Sequence, residues 1–345
     1  MQRSERRLPD ESRDGQILVS GLTVAVQESA PGKAKLRDLI ENLLPFLSLI
    51  ILFIALCLLS PYFFTVKNLS SVARQTAVIN IIALGMTLIM VSGGIDLSVG
   101  AMLAFCGIIG TMCLQAGLPV VVSILIAVLV GMGWGAINGL ITTKLKITPF
   151  IATLGTLGVI RGLTLIISNG MPVVNVPKSF GYLGDGTLLG VIPVPVLLLV
   201  ALALLVHYIL KYTRLGRYAY AIGSNMDAAR YAGINIGGYM VAIYALAGAM
   251  TGLAGMIESS RLMTGQPTAG EGYELKVIAA VVIGGGSLKG GEGTVLGTII
   301  GAFIMSLLSN GSNLLGISPF FQQVLIGSVI ILAVALDEYR RRRLL

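Results

Sequence analysis

Long apolar runs alternate with short polar connections from about residue 39 to residue 336, and the polar positions cluster in the connections instead of interleaving with a period of 3.6. A helix needs about 20 apolar residues to cross roughly 30 Å of hydrocarbon. The runs predict an all-α, polytopic membrane protein of about ten transmembrane helices, near 40–60, 68–92, 97–115, 119–142, 148–168, 191–210, 237–257, 275–287, 294–312 and 319–336. Residues 1–38 break the pattern. They are charged and hydroxyl-rich, lack the apolar core of a signal peptide, and read as a polar cytoplasmic tail with helical character near 33–42, ahead of a membrane domain over 39–345.

Composition agrees with the pattern, with 55% hydrophobic residues, 12% charged residues and 44 glycines in 345. The glycines are spaced for helix contact. Gly131, Gly135 and Gly139 recur every four residues, as do Gly248 and Gly252, and Gly297 and Gly301, each giving a span a smooth stripe for a close neighbour. The net charge of +8 is explained by orientation. Of the 24 basic residues, seven lie in the tail, two at Lys144 and Lys146, four in 211–236, one at Lys289 and four at Arg340–Arg343. With an even number of spans these segments share one side, which the positive-inside rule makes the cytoplasm, so both termini are expected there in a multi-pass inner-membrane protein. Nucleic acid is not needed as a partner. Cys57, Cys106 and Cys113 lie in apolar runs without metal spacing, and His207 is the single histidine, so neither a metal site nor a cofactor is expected.

Polar groups inside the apolar runs are the candidates for function. In Val91-Ser-Gly-Gly-Ile-Asp-Leu-Ser98, Gly93 and Gly94 supply backbone freedom for a helix break, and Asp96 stands where a carboxylate caps the next helix, with Ser98 beside it. Unwound backbone at membrane depth is tolerated beside protein or water, which is where transporters bind substrate. Asp96 is therefore either a structural cap or an ion or proton relay. Arg161 is a second charge within a span, either facing a cavity or satisfied by helix-end carbonyls. Asn80, Asn138, Thr153 and Thr156 line a hydroxylated path for a polyol or serve as interhelical hydrogen-bond glue.

The longest basic connection, KYTRLGRYAYAIGSNMDAARYAGINI over 211–236, holds a capping position at Ser224/Asn225, a short helix over Met226–Tyr231 and a stop at Gly233. Two turns of helix are poorly stable alone, so this one needs something to dock against. The glycine-rich run 284–293 lacks the GxxxxGK[ST] spacing and reads as a tight connection between packed spans. No carboxylate pair or nucleophile–base arrangement points to an enzyme.

The stretches GMTLIMVSGGIDLSVG, ITPFIATLGTLGVIRGLT, LGRYAYAIGSNMDAARYAGIN and PTAGEGYELKVIAAVVIGGGSLKGGEGTVLGTIIGAFI, in this order, resemble the membrane permease subunit of sugar ABC importers of the ribose, xylose and arabinose type. The resemblance runs from about Leu69 to Leu336. It implies a channel-forming subunit paired with a second copy or a sister permease, and a monosaccharide or related polyol as substrate. A soluble extracytoplasmic binding protein would deliver the sugar, and a cytoplasmic ATP-binding subunit, often a tandem two-domain chain, would drive transport. It also implies that 223–233 is the coupling helix, with Gly223, Asn225, Asp227, Ala228, Ala229 and Gly233 at the ATPase contact. Lys276 departs from the pattern, which has an acidic residue there. The alternatives are a secondary transporter driven by an ion gradient, with Asp96 and Arg161 as relay, and a membrane scaffold.

Overall fold

The computed structural model describes residues 31–342, so most of the polar tail lies outside the described residues. The chain divides into two compact units, 1–41 and 42–345. Its helices are α1 (Pro31–Leu59), α2 (Val66–Val91), α3 (Val99–Gln115), α4 (Val120–Lys144), α5 (Pro149–Ser168), α6 (Gly181–Asp185), α7 (Val194–Tyr212), α8 (Arg214–Ser224), α9 (Met226–Tyr231), α10 (Ile236–Leu262), α11 (Tyr273–Ile283), α12 (Val295–Leu314) and α13 (Pro319–Arg342). The one sheet among the described residues is a short antiparallel hairpin of β1 (Thr187–Leu188) and β2 (Ile192–Pro193).

Local chemistry sets the ends. Thr65, Thr213, Asn225, Asn235 and Thr294 each accept a backbone amide of the first turn of the helix that follows. Pro149 opens α5 where its missing N–H costs nothing, and Asn169 closes that helix in the left-handed region with φ 51°.

Two departures from the pattern matter. Among the described residues six helices, α2, α4, α5, α7, α10 and α12, are long and apolar enough to cross a membrane, while α3 and the apolar parts of α1 and α13 are shorter. The expected span at 275–287 is only the eleven-residue α11, about 16 Å long. Gly270 and Gly272, at φ 68° and 77°, hold the chain out of helix before it, and Gly285, at φ 86°, ends it. The stretch 263–283 is thus an irregular segment followed by a half-length helix. The second departure is α8, an eleven-residue helix where the sequence showed only loop before the short α9.

The glycine stripes pair with one another. A methyl group on Gly131 would overlap the Gly248 carbonyl oxygen, one on Gly248 the Gly131 oxygen, and one on Gly135 the Tyr244 oxygen, so α4 and α10 run antiparallel with their backbones in contact. Gly252 meets Ala127 and Gly139 meets Val241 in the same seam. Gly297 and Gly301 on α12 take the Gly284 and Ala280 carbonyls of α11 in the same manner. α2 is enclosed, with Ala77, Ile81, Ile82, Leu84, Leu88 and Met90 fully buried. Lys144 on α4 and the start of α10 share one face of the bundle, where Gly237 approaches Thr143, and α9 precedes α10 on that face.

Candidate functional site

α2 ends at Val91 and α3 starts at Val99, and the seven residues between form an unwound segment. Gly93 turns it at φ 80°, and the Gly93 and Gly94 amides donate to the Met90 and Ile89 carbonyls. A side chain at Gly94 would collide with the Tyr244 ring, whose hydroxyl donates to the Ile95 carbonyl at 3.1 Å. Thr153 donates to the same carbonyl at 3.3 Å. Asp96 is fully buried. Its Oδ1 accepts from the Ser98 amide at 2.8 Å and the Ser98 hydroxyl at 2.6 Å, and the Asn138 amide donates to the carboxylate at 3.4 Å and to Ser98 Oγ at 2.9 Å. The residue at the N-cap is Ser98, not Asp96. The carboxylate acts from two residues earlier, in an Asx turn that leads into α3.

The structure therefore brings Gly93, Gly94, Asp96, Ser98, Asn138 and Thr153 together, knitting the break to α4, α5 and α10. It does not bring the others there. Thr156 bonds back to the Thr153 carbonyl of its own helix, and Asn80 donates to the Thr76 carbonyl within α2. Arg161 donates to the carbonyls of Pro267 and Ala269 at 2.8 and 3.1 Å, on the irregular segment ahead of α11.

On the α9 face, the end of α8 meets two turns through backbone atoms. A methyl group at Gly223 would overlap the Val91 carbonyl oxygen and stand 2.6 Å from the Gly291 nitrogen. One at Gly290 would lie 2.8 Å from both the Gly223 oxygen and the Gly93 Cα. The Gly291 amide donates to the Val91 carbonyl at 2.9 Å. Tyr220 adds a side-chain tie, donating to the Gly293 carbonyl at 2.7 Å, and burial pushes its phenol upward so that it keeps the proton it donates. The glycine-rich run 284–293 is thus a seat for α8 as well as a connection. Beyond this junction, the Asn225 side chain caps α9 by accepting the Ala228 amide at 2.9 Å. Gly233, at φ 79°, donates to Arg230 and is followed by an Ile234 to Ala229 bond, a Schellman-type stop. Ala229 is buried toward the protein, whereas Met226, Asp227, Ala228 and Arg230 are exposed and Tyr231 is 90% exposed. The Asp227–Arg230 pair, 2.9 Å apart, lies on that outer surface.

Several residues that matter here were not singled out from sequence. Tyr244, Tyr220 and Tyr231 look like ordinary interfacial aromatics until their partners are known. Glu258 pairs with Arg261 at 2.8 Å near the end of α10, and the Ser260 hydroxyl, between them, donates to Phe180 and accepts from Gly184. Glu274 reaches the first turn of α3, where a methyl at Gly100 would touch its carboxylate. A glutamate spaced one turn after a double-glycine break is a visible signal for a half-helix start. Lys276 holds its ammonium over the Tyr273 ring, 5.5 Å from the centroid.

Comparison with known proteins adds to this geometry. A family model described as "Branched-chain amino acid transport system / permease component" matches residues 68–334. The ribose import permease protein RbsC of Bacillus subtilis (strain 168) is 46% identical over 300 residues, 86% of this chain and 93% of that protein. RbsC of Escherichia coli (strain K12) is 43% identical over 299 residues, with the same coverage. The D-allose transport system permease protein AlsC of the same strain is 38% identical over 282 residues, 81% of this chain and 86% of that protein. No solved structure matches. A match covering the bundle from α2 to α13, with relatives alike over most of both lengths, makes this chain a member of the permease-component family of import systems.

Proposed function

We propose that this chain is the membrane-spanning permease subunit of an ATP-driven importer that moves a monosaccharide or related polyol. The observation that carries the proposal is the join between α9 and the helix break. An exposed, capped two-turn helix stands on a backbone junction that leads directly to the unwound segment bearing Asp96. That is what a subunit powered from outside itself requires, since α9 offers a docking surface and Gly223 passes its displacement to Val91 and Gly93. The names of the relatives favour a sugar. The partners are a cytoplasmic ATP-binding subunit, an extracytoplasmic binding protein and a second permease copy. The face carrying α9 and the basic connections is cytoplasmic in the inner membrane, by the distribution of Lys and Arg.

In this mechanism the chain performs no covalent chemistry. Closure of the ATP-binding subunits on nucleotide pulls α9, α8 follows as a lever, and the break and the α11–α12 connection move with it, opening the route for a sugar released by the docked binding protein. Asp96 holds the break in shape. Its carboxylate already accepts three donors and is sealed from solvent, which fits a cap and leaves the ion-relay alternative without a free group at that position.

The test is recovery of partners from native membranes in mild detergent, using a tagged chain, a variant lacking Ser224–Gly233 and the point variant Ala228→Arg. An ATP-binding protein recovered with the intact chain and lost with both variants supports the proposal. Uptake that persists with no such partner, and that collapses with a proton ionophore, refutes it.

A further inference from the structure

Three charged side chains cluster where the segment ahead of α11 meets α5 and the first turn of α3. α11 is about 16 Å long and its far end, Gly284, is packed on the first turn of α12 beside the α9 face, so Tyr273 and Glu274 start roughly half-way through a 30 Å hydrocarbon layer. An independent count gives the same level. α5 begins at Pro149, just after Lys144 and Lys146 on the α9 face, and twelve residues later Arg161 is about 18 Å in. The two positions meet. Arg161 holds the carbonyls of Pro267 and Ala269, Glu271 and Glu274 lie within electrostatic range of its guanidinium, and the Glu274 carboxylate abuts Gly100 in the first turn of α3.

Exposure shows what these groups face. Glu271 is exposed, and Glu274 and Arg161 are half-buried. On α5, Gly158 and Gly162 flank Arg161 with nothing within 4 Å of where a side chain would be. An ionised glutamate with its surface toward hydrocarbon at this depth is strongly disfavoured, and irregular backbone such as 263–272 persists at depth only against protein or water. The open side of the cluster is therefore wet. The N-termini of α3 and of the half-length α11 converge on it, as at transporter substrate sites. Two carboxylates that accept and a guanidinium with N–H groups beyond its two carbonyl bonds match a ligand of several hydroxyls, each both donor and acceptor.

We propose that Glu271, Glu274 and Arg161 form a mid-membrane station that binds the hydroxyl groups of the sugar in transit. The proposal rests on the sugar-importer reading above and assigns it a place in the chain. Arg161 positions the segment bearing both glutamates and offers a donor of its own, while Glu274, fixed between two helix starts, is the principal acceptor.

The test uses the complex of this chain with its ATP-binding subunit in proteoliposomes, with binding protein and radiolabelled ribose as the probe, and follows uptake and ATP hydrolysis together. Glu274→Gln and Glu271→Gln are expected to lower ribose moved per ATP roughly tenfold, the loss of one hydrogen bond to a charged group, with partner recovery and hydrolysis retained. In a chain with Cys57, Cys106 and Cys113 replaced, Glu271→Cys is expected to react with a charged, membrane-impermeant thiol reagent, and saturating ribose to slow the reaction, while Val159→Cys, exposed on the opposite side of α5 at the same level, stays unreactive. Unchanged ribose per ATP in both glutamine variants, or an unreactive Cys at 271, overturns the station. A wild-type chain that recruits no ATP-binding subunit fails the importer reading instead, whereas labelling at 271 without ribose protection in an assembled complex refutes the sugar assignment.

Discussion

Gly223→Ala places one methyl group into the junction between α8, the helix break and the glycine-rich connection. At the ideal position that methyl overlaps the Val91 oxygen and lies 2.6 Å from the Gly291 nitrogen, where ordinary contacts begin near 3.4 Å. The obstructing atoms are backbone, so no rotamer change relieves them. Overpacking of this kind costs about 1–3 kcal/mol. Prising the turns apart also weakens the Gly291 amide to Val91 carbonyl bond, worth about 1 kcal/mol net. Together these give about 2–4 kcal/mol against the seated geometry, or roughly 30- to 700-fold in its population at 1.4 kcal/mol per factor of ten. The companion variant Gly133→Ala has nothing within 4 Å of its methyl and removes a helix glycine, so it should be neutral or slightly stabilising. The assay measures the thermal midpoint of the chain in detergent, and substrate uptake per ATP in the reconstituted complex. Gly223→Ala should lower both, and Gly133→Ala neither. Equal midpoints and equal coupling for the two variants would falsify the claim that α8 is locked to the break through backbone contact.

Other perturbations separate structural from transmitting roles. Asp96→Asn keeps an acceptor for Ser98 and should retain most uptake, whereas Asp96→Ala strands the Ser98 amide and hydroxyl in a buried site at about 1–3 kcal/mol each, leaves Asn138 only its bond to Ser98 Oγ, and should impair stable assembly; loss of uptake in the Asn variant with normal assembly would restore a relay role. Glu258→Gln breaks a largely buried pair with Arg261 and should cost about 3 kcal/mol by thermal unfolding, against under about 0.5 kcal/mol for Asp227→Asn in the exposed pair with Arg230. Tyr231→Ala removes the most exposed aromatic of α9 and should weaken recovery of the ATP-binding subunit at least tenfold, about 1.4 kcal/mol, without changing the thermal midpoint of the chain alone.

The helices were legible because lipid demands uninterrupted apolar runs, and that demand writes itself into consecutive residues. The break at Gly93–Asp96 and the start and stop of α9 were legible for a related reason, since glycine at positive φ and an asparagine cap act over three or four residues. α11 misled for a physical reason too. Hydropathy counts apolar residues and does not see that Gly270, Gly272 and Gly285 cut a continuous run to eleven helical positions. Arg161 and Asn80 were grouped with Asp96 by residue type, yet type carries no depth or azimuth. One lies about two-thirds of the way along α5 and bonds a different segment, and the other donates within its own helix. The glutamate at 274 follows a readable glycine break, yet only the fold sets it against α3 and brings Glu271 within range of Arg161.

α3, the half-length α11 and the α8 junction explain one another. The seat of α8 touches Val91 and Gly93, which lead into α3, and Gly290 and Gly291, which terminate the connection after α11. Helices are stiff along their axes, so displacement of that seat is delivered to two rods at once. The end of α11 away from that seat and the start of α3 meet where Glu274 abuts Gly100. A full-length helix anchored at both faces of the bilayer would resist such a push, whereas a rod that starts in mid-membrane can shift against a flexible segment, 92–98 in one case and 263–272 in the other. The glycines of those segments are thus where the fold gives, and the glycine seams between α4 and α10 and between α11 and α12 are where it does not. On the proposed mechanism, motion entering at α9 passes between them toward the level of Arg161, and a subunit driven from outside itself needs its polar groups at that depth.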